Sequence, residues 1–97
     1  ELEVELMAHP DVLEAAVVGV PSKAWGETPI AFVVCKPGQS AAPEQLQAFV
    51  GERVGKTQRL SDVRVVQALP RSSIGKVLKR QLRDEYAASP EGQAHKG

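Results

Sequence analysis

From Ala15 to Val20 the chain reads Ala-Ala-Val-Val-Gly-Val, with no polar residue to mark a solvent side. Such a run is what a strand buried on both faces looks like, and it predicts a strand over 12–20. Gly19 within it predicts the close approach of another backbone. A second strand is predicted over Pro29–Lys36, where Ile30, Phe32 and Val34 face one side and Ala31, Val33 and Cys35 the other. Pro37-Gly38 ends it with a turn. The intervening stretch, Pro21–Thr28, reads as a loop of about eight residues, compatible with an antiparallel pair. A third strand is predicted over Val63–Leu69, with Val63, Val65 and Gln67 alternating against Arg64 and Val66. Pro70 ends it, because proline cannot donate to a ladder.

Helical patterning fills the gaps. Residues 2–8 read as the end of a helix, with Leu2 and Leu6 four apart, and His9-Pro10 disfavours its continuation. Pro43 suits a first helical turn, and Glu44 suits the positive end of the helix dipole. Leu46, Phe49, Val50 and Val54 form one apolar stripe, and Gly55 is a natural stop. Burying such a stripe is worth roughly 1.5–3 kcal/mol per large side chain before entropy. A last helix runs to about Tyr86, with Leu78 and Leu82 on one face. Beyond it, residues 87–97 lack period and core and are expected to be disordered. The order α-β-β-α-β-α describes a small α+β single domain, a three-stranded sheet packed with helices.

At 97 residues the chain has room for one modest core. No apolar run approaches the roughly 20 residues that span a bilayer, and no signal-peptide pattern opens the chain. Position 1 is Glu, so a piece of a longer chain is expected. Cys35 is alone, which rules out an internal disulfide and points to a reducing, cytoplasmic setting. It reads as a small buried hydrophobe. His9 and His95 have no ligand-like neighbours, so no metal site is expected.

Net charge is zero, yet its distribution is uneven. Residues 1–14 carry Glu1, Glu3, Glu5, Asp11 and Glu14 with no Lys or Arg. Residues 53–83 carry Arg53, Lys56, Arg59, Arg64, Arg71, Lys76, Lys79, Arg80 and Arg83 against one acid, Asp62. A basic half suggests phosphates, a nucleic acid or an acidic protein face as partner. The plainer alternative is a set of solvated helix faces, Lys79, Arg80 and Arg83 above all.

The rest of the chain reads as arranged to present the segment Leu69–Arg83. Arg71, Ser72 and Ser73 are turn-forming, and Gly75 permits a backbone shape other residues resist. Lys76 then stands on a flexible loop tip before a helix, able to enter a neighbouring site as a mobile positive charge. A merely solvated lysine beside a turn fits the same local pattern. Gly-Lys-Val is not a P-loop, since the upstream glycine and the following Ser/Thr are missing. Trp25, the only tryptophan, lies in a polar, turn-rich stretch. It is either packed as a lid on the core or offered to a ligand or partner.

Several stretches together resemble the small C-terminal domain of the acyl-CoA synthetase branch of the adenylate-forming enzymes. They are Glu1-Leu2-Glu3, His9-Pro10 with Val12, Ala15 to Pro21, Trp25-Gly26-Glu27, Ala31-Phe32-Val33-Val34, and Leu69 to Val77 with Lys79-Arg80. They run from residue 1 to about 86; each is weak alone, and the ordered set is specific. The resemblance implies a two-step ligase using ATP, magnesium and coenzyme A. A carboxylic acid such as a fatty acid attacks the α-phosphate of ATP to give an acyl-adenylate and pyrophosphate; the thiol of coenzyme A then displaces AMP.

Under that resemblance Lys76 aligns with the adenylation lysine, and Gly75 keeps its loop mobile. Trp25 and Gly26 correspond to positions beside the pantetheine channel, and Arg59 in the loop Lys56–Ser61 to a contact with the coenzyme A nucleotide. Thr57, Gln58 and Leu60 depart from the aromatic, lysine and proline common there, and Thr57 cannot stack on adenine. The hinge, ATP-binding motifs and acyl pocket would belong to a large N-terminal domain of the same chain, so this piece alone is expected to be inactive. The run Pro70 to Lys76 also looks like the sequence on which protein acetyltransferases act in related synthetases; acetylation would remove the charge.

Two alternatives stand beside this reading. One is an adenylation subdomain that loads a carrier protein. The other is a basic nucleic-acid-binding module, against which Phe49 and Tyr86, at the margins of the basic half, are its only aromatics.

Overall fold

The structure, a computed structural model, describes residues 2–22, 26–54 and 60–90. Its elements follow the expected order: α1 (Leu2–Met7), β1 (Val12–Ser22), β2 (Gly26–Cys35), α2 (Pro43–Val54), β3 (Asp62–Val65) and α3 (Lys79–Ala88). The three strands lie in the order β1-β2-β3. β1 and β2 are antiparallel, while β2 and β3 are parallel. The parallel pair follows from the helix between them, because a crossover returns the chain to the starting end of its partner.

The alternation along the strands sorts the core onto the two faces of the sheet. One face carries Ala16, Val18, Val20, Ile30, Phe32 and Val34, packed with Leu69, Leu82 and Tyr86. The other carries Ala31, Val33 and Val63, packed with Leu6, Leu46, Val50 and Leu60. Ala16 pairs with Phe32 and Val18 with Ile30, while Val17 pairs with Ala31 on the opposite face. Val12 has the parity of Ala16 yet packs in the second cluster. The register shift between Val12 and Glu14 explains it, since one extra residue flips every side chain before it. Leu13, the residue at the bulge, is exposed.

Four expectations change. Pro21–Thr28 is not a loop throughout: Pro21 pairs with Glu27 and Ser22 with Gly26, so both strands continue into a hairpin. Pro21 is tolerated because β1 is an edge strand. The nearest obstacle at Gly19 is a side chain rather than a backbone: a Cβ there would strike Glu27 at 2.6 Å. β3 stops at Val65, which pairs with Val33. Val66 still donates its N–H to Val33 O at 2.8 Å, then turns into the first cluster. Finally, α3 starts at Lys79 and reaches Ala88, and its buried pair is Leu82 and Tyr86. Leu78 precedes the helix and stays exposed.

α2 keeps its predicted stripe. Leu46 and Val50 are fully buried, with Phe49 and Val54 packed beside them. Gln45 Oε1 accepts the N–H of Ala42 at 3.1 Å and closes the first turn. Gly55 lies outside the described residues.

Candidate functional site

Between β3 and α3 the chain makes a small hairpin of its own. Arg71 and Val77 form an antiparallel bridge. Ser72 donates its N–H to Lys76 O, and Leu78 donates to Pro70 O, each at 2.9 Å. At the tip Gly75 donates its N–H to Ser72 O at 2.9 Å. The Ser72 hydroxyl accepts the N–H of Lys76 at 3.3 Å. This is a three-residue hairpin loop, Ser73-Ile74-Gly75, whose last residue is left-handed. Gly75 supplies that conformation with φ +85°, and a Cβ there would meet nothing within 4 Å. The need for glycine is conformational, not steric.

Lys76 follows directly. It is exposed, and its ammonium makes no ion pair or hydrogen bond to any described residue. The flexible tip expected from the sequence is instead a braced turn, because five bonds, two of them making the Arg71–Val77 bridge, bind it to its own stem. The fifth bond comes from Arg71, whose Nη1 donates to Gly75 O at 2.8 Å while Nη2 pairs with Glu14 Oε1.

Part of the uneven charge is settled inside the molecule. Glu5 of α1 pairs with Arg53 of α2, Glu14 of β1 with Arg71, and Glu3 of α1 with Lys79 of α3 at 2.7 Å. The acidic start of the chain thus meets the basic half that the sequence set aside for an external anion. Glu3 Oε2 also accepts the N–H of Val17 at 2.7 Å, satisfying an outward donor of edge strand β1. Burial pushes the Glu3 carboxyl up, but the hydrogen bonds from Lys79 and Val17 and the nearby Lys79 charge outweigh it. Its pKa lies below the ordinary 4.5. Arg64 lies over the Tyr86 ring, 4.7 Å from its centroid, and donates to Ser89 Oγ. Among the described Lys and Arg side chains, Lys36, Lys76, Arg80 and Arg83 are left without a protein partner.

Of the other residues singled out in the sequence, Trp25 and Arg59 lie outside the described residues. Gly26 opens β2 with φ +77° and a Cβ there would meet nothing within 4 Å. No described hydrogen bond joins it to the Lys76 turn. Cys35 is half-buried and free, at the end of β2. Among the described residues no three His, Cys, Asp or Glu side chains gather to hold a metal ion. No described helix is long and apolar enough to cross a membrane. Glu3, Glu14 and Arg71 carry structural weight the sequence did not reveal, because pairing between distant charges leaves no local pattern.

The family described as the AMP-binding enzyme C-terminal domain matches residues 1–76. A 4-coumarate–CoA ligase-like protein of Oryza sativa subsp. japonica is 46% identical over 89% of this chain, which spans 16% of that relative. A fatty acid–[acyl-carrier-protein] ligase of Streptomyces coeruleorubidus is 40% identical over 89% of this chain and is spanned to 17%. Among solved structures, the ATP-bound MatB from Rhodopseudomonas palustris superposes with a TM-score of 0.84 at 34% identity, over 90% of this chain and 17% of its own. The chain thus spans about a sixth of the length of the relatives it matches.

Proposed function

The chain belongs to the AMP-binding enzyme C-terminal domain family, and from that premise we propose that it is the mobile domain of an ATP-dependent acid–thiol ligase. Its task is to deliver the Lys76 ammonium to a nucleotide held by a large N-terminal domain of the same polypeptide. The observation that carries the reading is the exposed, unpaired Lys76 on a turn whose backbone is tightly bonded. In the first half-reaction a carboxylate oxygen attacks the α-phosphorus of ATP, the bond to the β-phosphate oxygen breaks, and pyrophosphate leaves. Two anions must meet, and charge grows on the phosphoryl oxygens. A compact cation held at that point stabilises the transition state more than the ground state.

In the second half-reaction the thiol of coenzyme A replaces AMP, and Lys76 stands withdrawn from the phosphate in that step. Withdrawal of the lysine comes from movement of the whole domain, since its turn is fixed to its stem. Trp25, Gly26 and Arg59 are proposed for the coenzyme A side, Arg59 through a phosphate. Magnesium, when bound to ATP, would screen phosphate charge; among the described residues no three His, Cys, Asp or Glu gather to hold it. The reading places the enzyme in the cytoplasm and makes Lys76 a target for a protein acetyltransferase.

In the full-length enzyme, Lys76→Ala should abolish adenylate formation from acid and ATP. Thioester formation from ready-made acyl-adenylate should survive. Equal loss of both half-reactions would make Lys76 structural and overturn the reading.

One observation favours a second acceptor, the phosphopantetheine arm of a carrier protein: the similarity to the acyl-carrier-protein ligase. Steady-state rates with free coenzyme A against purified carrier protein decide between them. The nucleic-acid reading loses much of its basis, since Arg53, Arg71 and Lys79 are engaged by carboxylates of the same chain.

A further inference from the structure

Arg71 joins three parts of the molecule through one side chain. Its Nη2 reaches the Glu14 carboxylate on β1, and its Nη1 reaches the carbonyl of Gly75, the residue before Lys76. Glu14 lies one residue past the β1 bulge, on the parity of Ala16, Val18 and Val20, the face that α3 covers. The guanidinium is planar and its donors are fixed relative to one another. Two partners on separate nitrogens of one rigid fork therefore set where the peptide between Gly75 and Lys76 lies relative to the sheet. The backbone bonds of the stem hold the hairpin to itself; among the described contacts of Arg71, the Glu14 pair is the one that ties it to a strand.

An exposed ion pair adds little to folding free energy. Arg71 and Glu14 keep 42% and 32% of their side-chain surface exposed, so their pairing is poorly suited to a stabilising role. It is well suited to orientation. We infer that Arg71, held by Glu14, is a positioning residue that aims the Lys76 turn for adenylation. This inference rests on the function proposed above and adds to it the device that fixes the lysine's aim.

The test uses Arg71→Gln, Glu14→Gln and the double variant, with Lys76→Ala alongside. In full-length enzyme, each single variant should slow adenylation roughly 10- to 100-fold, the penalty of a small misplacement. Thioester formation from supplied acyl-adenylate should stay within about twofold, which a general loss of folding would not allow. The double variant should be no worse than Arg71→Gln, because both remove one link. In the same full-length enzyme, the Ser72 and Leu78 amides should lose hydrogen-exchange protection in both single variants.

Unchanged protection, additive effects, or equal loss of both half-reactions overturns the inference. If Lys76→Ala blocks adenylation and Arg71→Gln does not slow it, the inference alone fails. If Lys76→Ala leaves adenylation intact, the proposed function fails and takes this inference with it; the exchange measurement then still reports whether the brace exists.

Discussion

The Tyr86 hydroxyl donates to Asp62 Oδ2 at 3.0 Å, joining α3 to the first residue of β3. Tyr86 is completely buried, its ring edge-on to Phe32 at 6.5 Å and beneath the Arg64 guanidinium. One aromatic thus fixes the helix that follows the lysine turn to both the central strand and an edge strand.

Removing that hydroxyl separates packing from bonding. Tyr86→Phe should cost about 1.5–3 kcal/mol, the range for a hydrogen bond to a charged group. Tyr86→Ala should cost about 3–5 kcal/mol through the cavity it leaves. Urea unfolding checks both, with the midpoint falling and the slope unchanged.

Lys76→Ala should leave stability within about 0.5 kcal/mol of the parent. The side chain is exposed and binds no described residue, so the fold loses nothing with it. Under the proposed function the adenylation rate should fall by about 2.7–4 kcal/mol of activation free energy. The contrast between an unmoved unfolding midpoint and a collapsed rate is the measurement.

Gly75→Ala should destabilise by about 1–2 kcal/mol, the cost of forcing a Cβ into the left-handed region. Because a Cβ there meets no atom within 4 Å, the penalty is one of backbone shape. Gly75→Asn should therefore be milder, since asparagine enters that region more readily. Thermal melts of the two variants side by side test the ranking.

Glu3 predicts an acid-side dependence. Its folded pKa is depressed below the ordinary 4.5, so its contribution is complete above that value. It is lost as pH falls through the folded pKa, where protonation breaks the contacts with Lys79 and Val17. Glu3→Gln should flatten the fall of stability with pH in that window. Chemical denaturation from neutral pH down through the carboxylate range would show the difference in slope.

Much of this architecture could be read from residue order. The unbroken Ala15–Val20 run and the alternation of Ile30, Phe32 and Val34 placed two strands, and the structure gives each face its own cluster. The α2 stripe was legible because helical spacing is local. What escaped was decided by distant partners. The bulge at Leu13 moves Val12 to the other face, and only pairing with β2 reveals it. β3 is short because Val65 already meets Val33 near the end of β2. Leu78 looked like a core residue by spacing, but the hairpin stem holds it outside the helix. The charge blocks were visible, while their mutual neutralisation depended on α1 and β1 lying against α2 and the hairpin. At the site, glycine before lysine was readable and its bracing by Arg71 was not.

The stem bonds around Ser72 to Lys76 also set where this chain can accept changes of length. One residue added between Ser73 and Gly75 lengthens the path by up to about 3.5 Å. It cannot keep both the Ser72–Lys76 and Ser72–Gly75 bonds in step. The same addition at the exposed Pro37-Gly38 turn would break the bond from Gln39 N–H to Lys36 O, with no described side-chain brace there to lose. Of these two turns, the hairpin before α3 should be the more constant in length across evolution.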